Sequence, residues 1–301
     1  MKKGFITIAT GKEEYYCLAY NLFRSYKFFC KEPLPFAILC DRENEYTKDF
    51  DDVLIFEKGA TNSYLDKLSL AEYLPYDETV FIDADCLAYG DLNQIFSCFE
   101  QADDFSCFGR VLPLDDKTGW FEYENLGDLK SKVSYVVGLH GGIYYMRKTE
   151  QTKKVFEDAR NLVLYYSKFK FKGKFATPGD EPLIALSMAI NHCHPETFRS
   201  NMIFCYWEAV DGMDIDITKG LARIREKNIN TILLHWGTRF TRELEYKRQC
   251  ELLDILEGDN SNQDRNIEQC KRKYDSLIRK EKRKQFLQRV KNKIKRTLKI
   301  K

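Results

Sequence analysis

The hydrophobic pattern opens with a run that reads as a strand covered on both faces. Gly4-Phe5-Ile6-Thr7-Ile8-Ala9 is almost wholly apolar, and Thr10-Gly11 closes it. Tyr15, Leu18, Ala19, Leu22, Phe23 and Tyr26 then recur every three or four positions. That spacing predicts a helix, which Pro33 and Pro35 break. Pro35–Cys40 is a second strand ending at Asp41, and Val53–Phe56 a third. Tyr64–Tyr73 reads as helical, Pro75–Glu78 as a turn, and Thr79-Val80-Phe81-Ile82 as a fourth strand. Further on, a helix opens at Gly90-Asp91-Leu92 and Phe105–Phe108 is a short strand. Residues 110–132 read as a polar loop or lid, and Val136–Arg147 as a loop feeding a strand. Helices are expected over 150–167, after Thr177–Pro182, and over 240–257, with a strand at Thr231–Leu234. The pattern over 200–230 specifies no element. Strands alternating with helices predict an open α/β sheet with mainly parallel strands.

Ligands of such sheets sit beyond the carboxyl ends of the strands. Thr10, Asp41 and the pair Asp83/Asp85 stand at three such ends, which points them at one crevice. Side chains alternate along an extended segment, so Asp83 and Asp85 can face one way and offer oxygens to a hard divalent cation. Asp214-Ile215-Asp216 repeats the spacing, but its Gly- and Asp-rich surroundings read as a solvated turn. No G-x-G-x-x-G and no P-loop follows the first strand, which argues against nicotinamide chemistry and ordinary ATPase chemistry.

With 301 residues and 44% hydrophobic content the chain can bury one large core or two small ones. No apolar run approaches the ~20 residues of a membrane span. The apolar stretch at the N-terminus is too short for a signal peptide, so a cytoplasmic protein is expected. Ten cysteines without a C-x-x-C pair read as reduced, mostly buried residues.

The charge divides the chain. Residues 279–301 hold 12 Lys/Arg and one acid, a net of +11, so the rest carries 2 − 11 = −9. A globular domain is expected over 1–258, and a linker with a basic helical tail over 259–301. Leu287, Val290, Ile294 and Leu298 share one helical face in that tail, among Lys291, Lys293, Lys295 and Arg296. A basic amphipathic helix suits an anionic membrane surface, the inner face of the membrane for a cytoplasmic protein. Nucleic acid is not expected, since the body is acidic.

The order of motifs resembles the GT-A glycosyltransferases, most closely family 8, with its glycogenin-like and bacterial lipopolysaccharide galactosyl- or glucosyltransferase members. Lys67-Leu68 followed by Phe81-Ile82-Asp83-Ala84-Asp85 resembles that family's Lys-Leu and (Y/F)-x-D-A-D. His140-Gly141-Gly142-Ile143-Tyr144 stands where the family has an Asn-x-Gly acceptor loop, and Asp180-Glu181 where it has Asp-Gln. His235 follows a late strand, as the family's third metal ligand does. The chain departs from the family's His-x-x-Gly-x-x-Lys-Pro-Trp ending, reading His235-Trp236-Gly237-Thr238-Arg239-Phe240. The resemblance covers roughly residues 4–250.

The resemblance implies a Rossmann-like mixed, mainly parallel sheet flanked by helices. It also implies metal-dependent transfer of a hexose from a nucleotide sugar, expected to be a UDP-sugar, with retention of configuration. The acceptor would be a glycan, lipid-linked as in lipopolysaccharide or capsule assembly. Asp83, Asp85 and His235 would hold Mn²⁺ or Mg²⁺, the imidazole favouring Mn²⁺. Thr7, Ala9 and Thr10 would line the base and ribose, with Tyr15 stacking on the base or belonging to the core of the first helix, Asp41 bonding to base or ribose or capping a helix or turn, and Ala84 within the metal motif. Lys67 and Arg239 would meet phosphates. Asp180 and Glu181 would bind donor-sugar hydroxyls or face the anomeric carbon, with helix capping the alternative for Asp180. His140, Gly141 and Gly142 would approach a sugar. Trp120 and Trp236 are candidate stacking platforms, or core. Two other readings stay open: a sugar-nucleotide-forming nucleotidyltransferase, and a non-catalytic nucleic-acid- or membrane-binding protein acting through the tail.

Overall fold

A computed structural model describes residues 1–57, 60–61, 63–171, 178–258 and 261–297, with side chains through 292. Thr177, the linker residues Asp259 and Asn260, and Leu298 lie outside the described residues, as do the side chains of Lys293, Ile294, Lys295 and Arg296. The strands are β1 (Lys3–Ala9), β2 (Phe36–Cys40), β3 (Asp52–Ile55), β4 (Glu78–Ile82), β5 (Cys86–Ala88), β6 (Phe105–Leu112), β7 (Val136–Arg147) and β8 (Glu196–Thr197). Five shorter strands follow: β9 (Ile203–Cys205), β10 (Met213–Asp216), β11 (Leu221–Ile224), β12 (Ile229–Asn230) and β13 (Leu233–His235).

A seven-stranded sheet in the order β3-β2-β1-β4-β7-β6-β8 forms the centre. All neighbouring pairs are parallel except those of β7, which runs antiparallel to β4 and β6. Period-two alternation sends Phe5 and Ala9 into the layer beneath helix α1 (Glu13–Phe29). Ile6, Leu39 and Phe81 face the opposite layer, with Val155 of α2 (Glu150–Leu162) and Leu183 of α3 (Asp180–Ile190). The expected mixed, mainly parallel α/β fold is the one observed.

Local departures have physical reasons. Tyr64–Glu72 and Leu92–Phe99 are 3₁₀ helices, opened by Ser63 and Asp91 side chains that accept from Leu65 N and Asn93 N. The expected loop over 110–132 includes two short 3₁₀ turns, and the strand before it runs on to Leu112. Val136–Arg147 is one continuous strand rather than a loop and a strand. The unspecified region 200–230 makes a small sheet β10-β11-β12, and β9 joins the sheet β5-β13-β9. Asp214 and Asp216 lie on β10, not in a turn. Asp214 pairs with Arg223 at 2.7 Å, and Asp216 pairs with Lys271 at 2.8 Å while capping Thr218.

Helix α4 (Leu244–Glu257) precedes α5 (Gln263–Thr297). The first half of α5 rests on the body through buried Cys270 and Tyr274, with ion pairs Arg248–Asp275 and Lys273–Glu251 at 3.0 and 2.7 Å. Farther along, Phe286, Leu287 and Val290 are exposed. Among the described residues no helix is long and apolar enough to cross a membrane. All ten cysteines are free thiols, and eight are buried.

Candidate active site

Two pieces of register build the site. Leaving β4, the chain bends through Asp83-Ala84-Asp85, and the Asp83 N–H donates to Gly142 O at 3.0 Å. It then enters β5, which pairs with β13 so that Cys86 stands opposite His235. On its other side β13 pairs with β9, placing His235 opposite Cys205. Directly paired residues share a face, so Cys86, His235 and Cys205 form one row beside the two aspartates.

Each aspartate has one oxygen tied to the protein and one turned towards His235. Asp83 Oδ1 takes Lys67 Nζ at 2.7 Å, while Oδ2 lies 3.8 Å from His235 Nε2. Asp85 Oδ2 accepts from Thr238 Oγ1 at 3.1 Å, while Oδ1 lies 3.0 Å from His235 Nε2. Neighbouring ligands about 2.1 Å from one octahedral ion stand about 3 Å apart. The Asp85–His235 spacing meets that geometry, while Asp83 Oδ2, 3.8 Å from His235 Nε2, stands farther off. Asp85 and His235 therefore fit a divalent cation, and Asp83 would join them by moving inward. Cys86 also brings a ligand atom within 4.8 Å of both. Burial pushes its thiol well up, so it is protonated and a poor ligand for a hard cation.

The electrostatics follow from burial and from these pairs. Burial pushes the Asp83 carboxyl up against the opposing pull of Lys67 and His235. Burial would raise Asp85 as well, but His235, Lys67 and Thr238 outweigh it and hold it low. Burial works to lower His235; the two aspartates overcome it and raise the imidazole.

Lys67 reaches this centre from the 3₁₀ helix Tyr64–Glu72. Its ammonium also lies 3.3 Å from Asp180 Oδ2 and donates to Gly141 O at 3.4 Å. Asp180 is the first residue of α3, and Gly179 occupies the N-cap position. The Asp180 carboxylate thus serves the site, accepting from Tyr144 Oη at 2.7 Å, rather than capping the helix. Glu181 accepts from Gly141 N at 2.9 Å, and burial, then Asp180, push its carboxyl up to about 7.

Gly141 and Gly142 lie where β7 bulges away from β6, between the pairings Leu139–Gly109 and Tyr144–Cys107. A Cβ on Gly141 would sit 2.5 Å from Glu181 Cγ, and one on Gly142 2.6 Å from His140 Cε1. Only glycine allows this approach. His140 places Nε2 2.8 Å from Cys205 Sγ and Nδ1 3.1 Å from Gly142 N. Burial is the main cause holding its imidazole down at about 3.

A cleft of about 220 Å³ opens beside the aspartates, lined by Thr10, Tyr15, Lys67, Asp83, Ala84, Asp85, Tyr64 and Thr238, among others. That is below the ~300–1,000 Å³ usual for small-molecule sites, so a larger ligand would extend through the mouth. The structure thus gathers Thr10, Tyr15, Lys67, Ala84, the aspartates, His235, Gly141, Gly142, Asp180, Glu181 and His140. Others stand apart. Thr7 and Ala9 are buried, and strand alternation turns them to the face opposite Ile8, which lines the cleft. Asp41 accepts from Gly11 N at 3.1 Å and from the Tyr16 hydroxyl; burial raises its carboxyl, but these bonds and Arg42 outweigh it and leave it lowered. Arg239 is exposed, its guanidinium 5.4 Å from the Phe240 ring. Trp236 is fully buried, and Trp120 donates Nε1 to Leu139 O at 3.0 Å.

The structure adds residues that the sequence reading missed. Thr238 and Tyr144 orient the carboxylates. Trp207, 43% exposed, sets its ring 4.9 Å from that of His235. A Cβ on Gly237, whose φ is +71°, would meet Trp207 Cζ3 at 2.9 Å. Thr238 could have been noticed three residues after His235. For Trp207, inside the unspecified region, the sequence carried no signal.

No protein-family model matches the chain, and no curated protein sequence matches it. Solved structures do. The galactosyltransferase LgtC in complex with donor and acceptor sugar analogues is 12% identical, with a TM-score of 0.53, covering 87% of this chain and 99% of that one. Mouse xyloside xylosyltransferase 1 in apo form is 9% identical, with a TM-score of 0.48, covering 80% and 99%. The glycosyltransferase GlyE of Streptococcus pneumoniae TIGR4 is 10% identical, with a TM-score of 0.48, covering 80% and 57%. The likeness to LgtC shows that this chain has a GT-A-type α/β fold.

Proposed function

We propose that this chain is a metal-dependent glycosyltransferase that moves a hexose from a nucleotide sugar to a glycan acceptor. The observation that carries the reading is Asp85 Oδ1 set 3.0 Å from His235 Nε2, with Asp83 Oδ2 3.8 Å from the same nitrogen, at the end of β4, beside a cleft, in a fold shared with LgtC. A divalent ion held there, Mn²⁺ in preference to Mg²⁺, would supply positive charge to the departing diphosphate. Tyr15 and Thr10 line the side of the cleft suited to the nucleoside, which we take as uridine from the motif order alone. Lys67, locked between Asp83 and Asp180, fixes the aspartate that faces the ion. Asp180 and Glu181 supply acceptors for the hydroxyls of the transferred sugar, with retention of configuration. Gly141 and Gly142 keep the wall low enough for a pyranose ring. Trp207 offers its exposed indole to an acceptor sugar beside the metal centre.

The lipid-linked character of the acceptor, in lipopolysaccharide or capsule assembly, is supported by the end of α5. Phe286, Leu287 and Val290 are exposed there among Arg283, Lys284, Arg289 and Lys291. Each cation near an anionic surface contributes about 1 kcal/mol, which supports a peripheral contact with a membrane.

The test is a thermal-shift screen of nucleotide sugars with and without Mn²⁺. Stabilisation by a UDP-sugar should need Mn²⁺ and vanish in the Asp83→Asn/Asp85→Asn double variant. Stabilisation that is indifferent to Mn²⁺, or that survives in the double variant, refutes the metal assignment. Sedimentation with anionic vesicles of the full chain, against one ended after Ile278, tests the membrane contact.

A further inference from the structure

His235 is bonded on one side only. Its Nε2 lies 3.0 Å from Asp85 Oδ1, as a ring donating N–H to a carboxylate would. That leaves Nδ1 with the lone pair. Nδ1 is buried, and among the described residues it has no hydrogen-bond partner. The residue itself is only 8% exposed. An imidazole nitrogen buried without a partner is costly unless something occupies its lone pair.

The surroundings of that ring supply two further donors. One ligand atom each from His140, Cys205 and His235 lies within 4.8 Å of the others. His140 Nε2 and Cys205 Sγ are 2.8 Å apart, and the two imidazole rings meet edge to face at 5.4 Å. A Cβ on Gly142 would lie 2.8 Å from His235 Nδ1 and 2.6 Å from His140 Cε1, so Nδ1 is turned towards the His140 ring. The β9–β13 register puts Cys205 directly opposite His235.

We propose that His140, Cys205 and His235 form a second, soft-cation site, suited to Zn²⁺, that adjoins the carboxylate site and shares His235 with it. Two imidazoles and a thiolate are a zinc donor set, with one position left for water. Asp85 completes it as the carboxylate that fixes the His235 tautomer from behind, the arrangement common among zinc-bound histidines. Loading releases the Cys205 thiol proton to solvent. It also moves the His140 proton from Nε2 to Nδ1, which gives up the Gly142 N–H contact. His140, partly exposed, provides the way in. The consequence for the proposed activity, which rests on the reading above, is exclusion. Zn²⁺ on Nδ1 keeps the proton on Nε2, the atom the catalytic ion needs.

Co²⁺ titration of the full chain tests the site, because a thiolate ligand gives cobalt a near-ultraviolet charge-transfer band. The band should appear in the wild type, persist in Cys86→Ser and vanish in Cys205→Ser. A wild type without the band, or a band lost with Cys86 and kept without Cys205, overturns the proposal. X-ray absorption of the Zn²⁺-loaded wild type requires no variant. One sulfur at ~2.3 Å and imidazole nitrogens at ~2.0–2.1 Å are expected, and a shell of oxygens alone overturns the site. Neither measurement uses a nucleotide sugar, so its failure is distinct from failure of the proposed activity.

Discussion

Replacing Lys67 by methionine isolates the electrostatic role of the residue that binds the site together. The ammonium lies 2.7 Å from Asp83, 3.3 Å from Asp180 and 3.4 Å from Gly141 O. The three side chains are 14%, 17% and 6% exposed, so water replaces little of what is lost. Methionine keeps most of the stem volume beside the Phe81 ring, which limits the packing change. Removing one partner of a buried pair costs about 3–5 kcal/mol, and the open side of the cleft favours the lower end, about 3 kcal/mol. At ~2–4 °C per kcal/mol for a domain of this size, the melting temperature should fall by roughly 6–12 °C at pH 8. The sign with pH is fixed. Lys67 has a raised pKa and stays charged throughout, while burial already pushes Asp83 up. Without the lysine Asp83 takes up a proton more readily, so the deficit should shrink as pH falls from 8 to 5. The assay is thermal melting of both proteins across that range. A loss under about 2 °C at pH 8, or a deficit that ignores pH, would refute the claim that Lys67 neutralises a buried acidic pair.

Gly142→Ala should cost about 1–3 kcal/mol by crowding His140 and His235, and should weaken Mn²⁺ binding measured by titration. Gly179→Ala, whose nearest neighbour would be Pro182 Cδ at 3.8 Å, is the control and should lose only the N-cap preference of glycine over alanine, at most about 1 kcal/mol, with Mn²⁺ binding unchanged. Glu181→Gln should change the pH profile of stability. The folded-state carboxyl sits at about 7 against an ordinary 4.5, so protonation favours the fold, and this advantage is lost as pH rises from 4.5 through 7. At 1.36 kcal/mol per pKa unit, the wild type should therefore lose up to about 3 kcal/mol relative to the glutamine variant over that window, read by denaturant melts.

The parts of the fold legible in the sequence were those held by local pattern. The apolar run of β1, the three-to-four spacing in α1 and the Thr79–Ile82 strand each carry their own periodicity. What escaped depends on distant pairing. His140-Gly141-Gly142 read as a loop because two glycines usually mark a turn. Here they mark a bulge inside a strand that pairs with β6 before and after them and with β4 only beyond them. Cys205 and Trp207 had no pattern of their own, because β9 has three residues and exists only through its register with β13. Asp214 and Asp216 looked like a turn because nothing local shows that Arg223 and Lys271 neutralise them on a strand. Alternation explains the placing of Thr7 and Ala9. A strand end suggests a whole group of lining residues, while the pleat exposes only every second one to the cleft.

The charge balance of the site bears on the order of events in the proposed reaction. Asp83, Asp85 and Asp180 face one ammonium, Lys67, and the His235 imidazole, with Glu181 adding a further partial negative charge near pH 7. Without an ion the cluster is net negative and largely shielded from water. A nucleoside diphosphate entering alone would meet that field at low effective dielectric, where like charges at 4 Å repel by several kcal/mol. A dication reverses the sign. It also converts Asp83 Oδ2 and Asp85 Oδ1 from repelling groups into ligands, while Lys67 and Thr238 already hold the other oxygen of each. Asp85 is placed to receive the ion and Asp83 has to move in on it, and the donor needs the ion. On this reasoning metal binds before the donor or with it, and a metal-free chain should hold free nucleoside more tightly than the corresponding diphosphate.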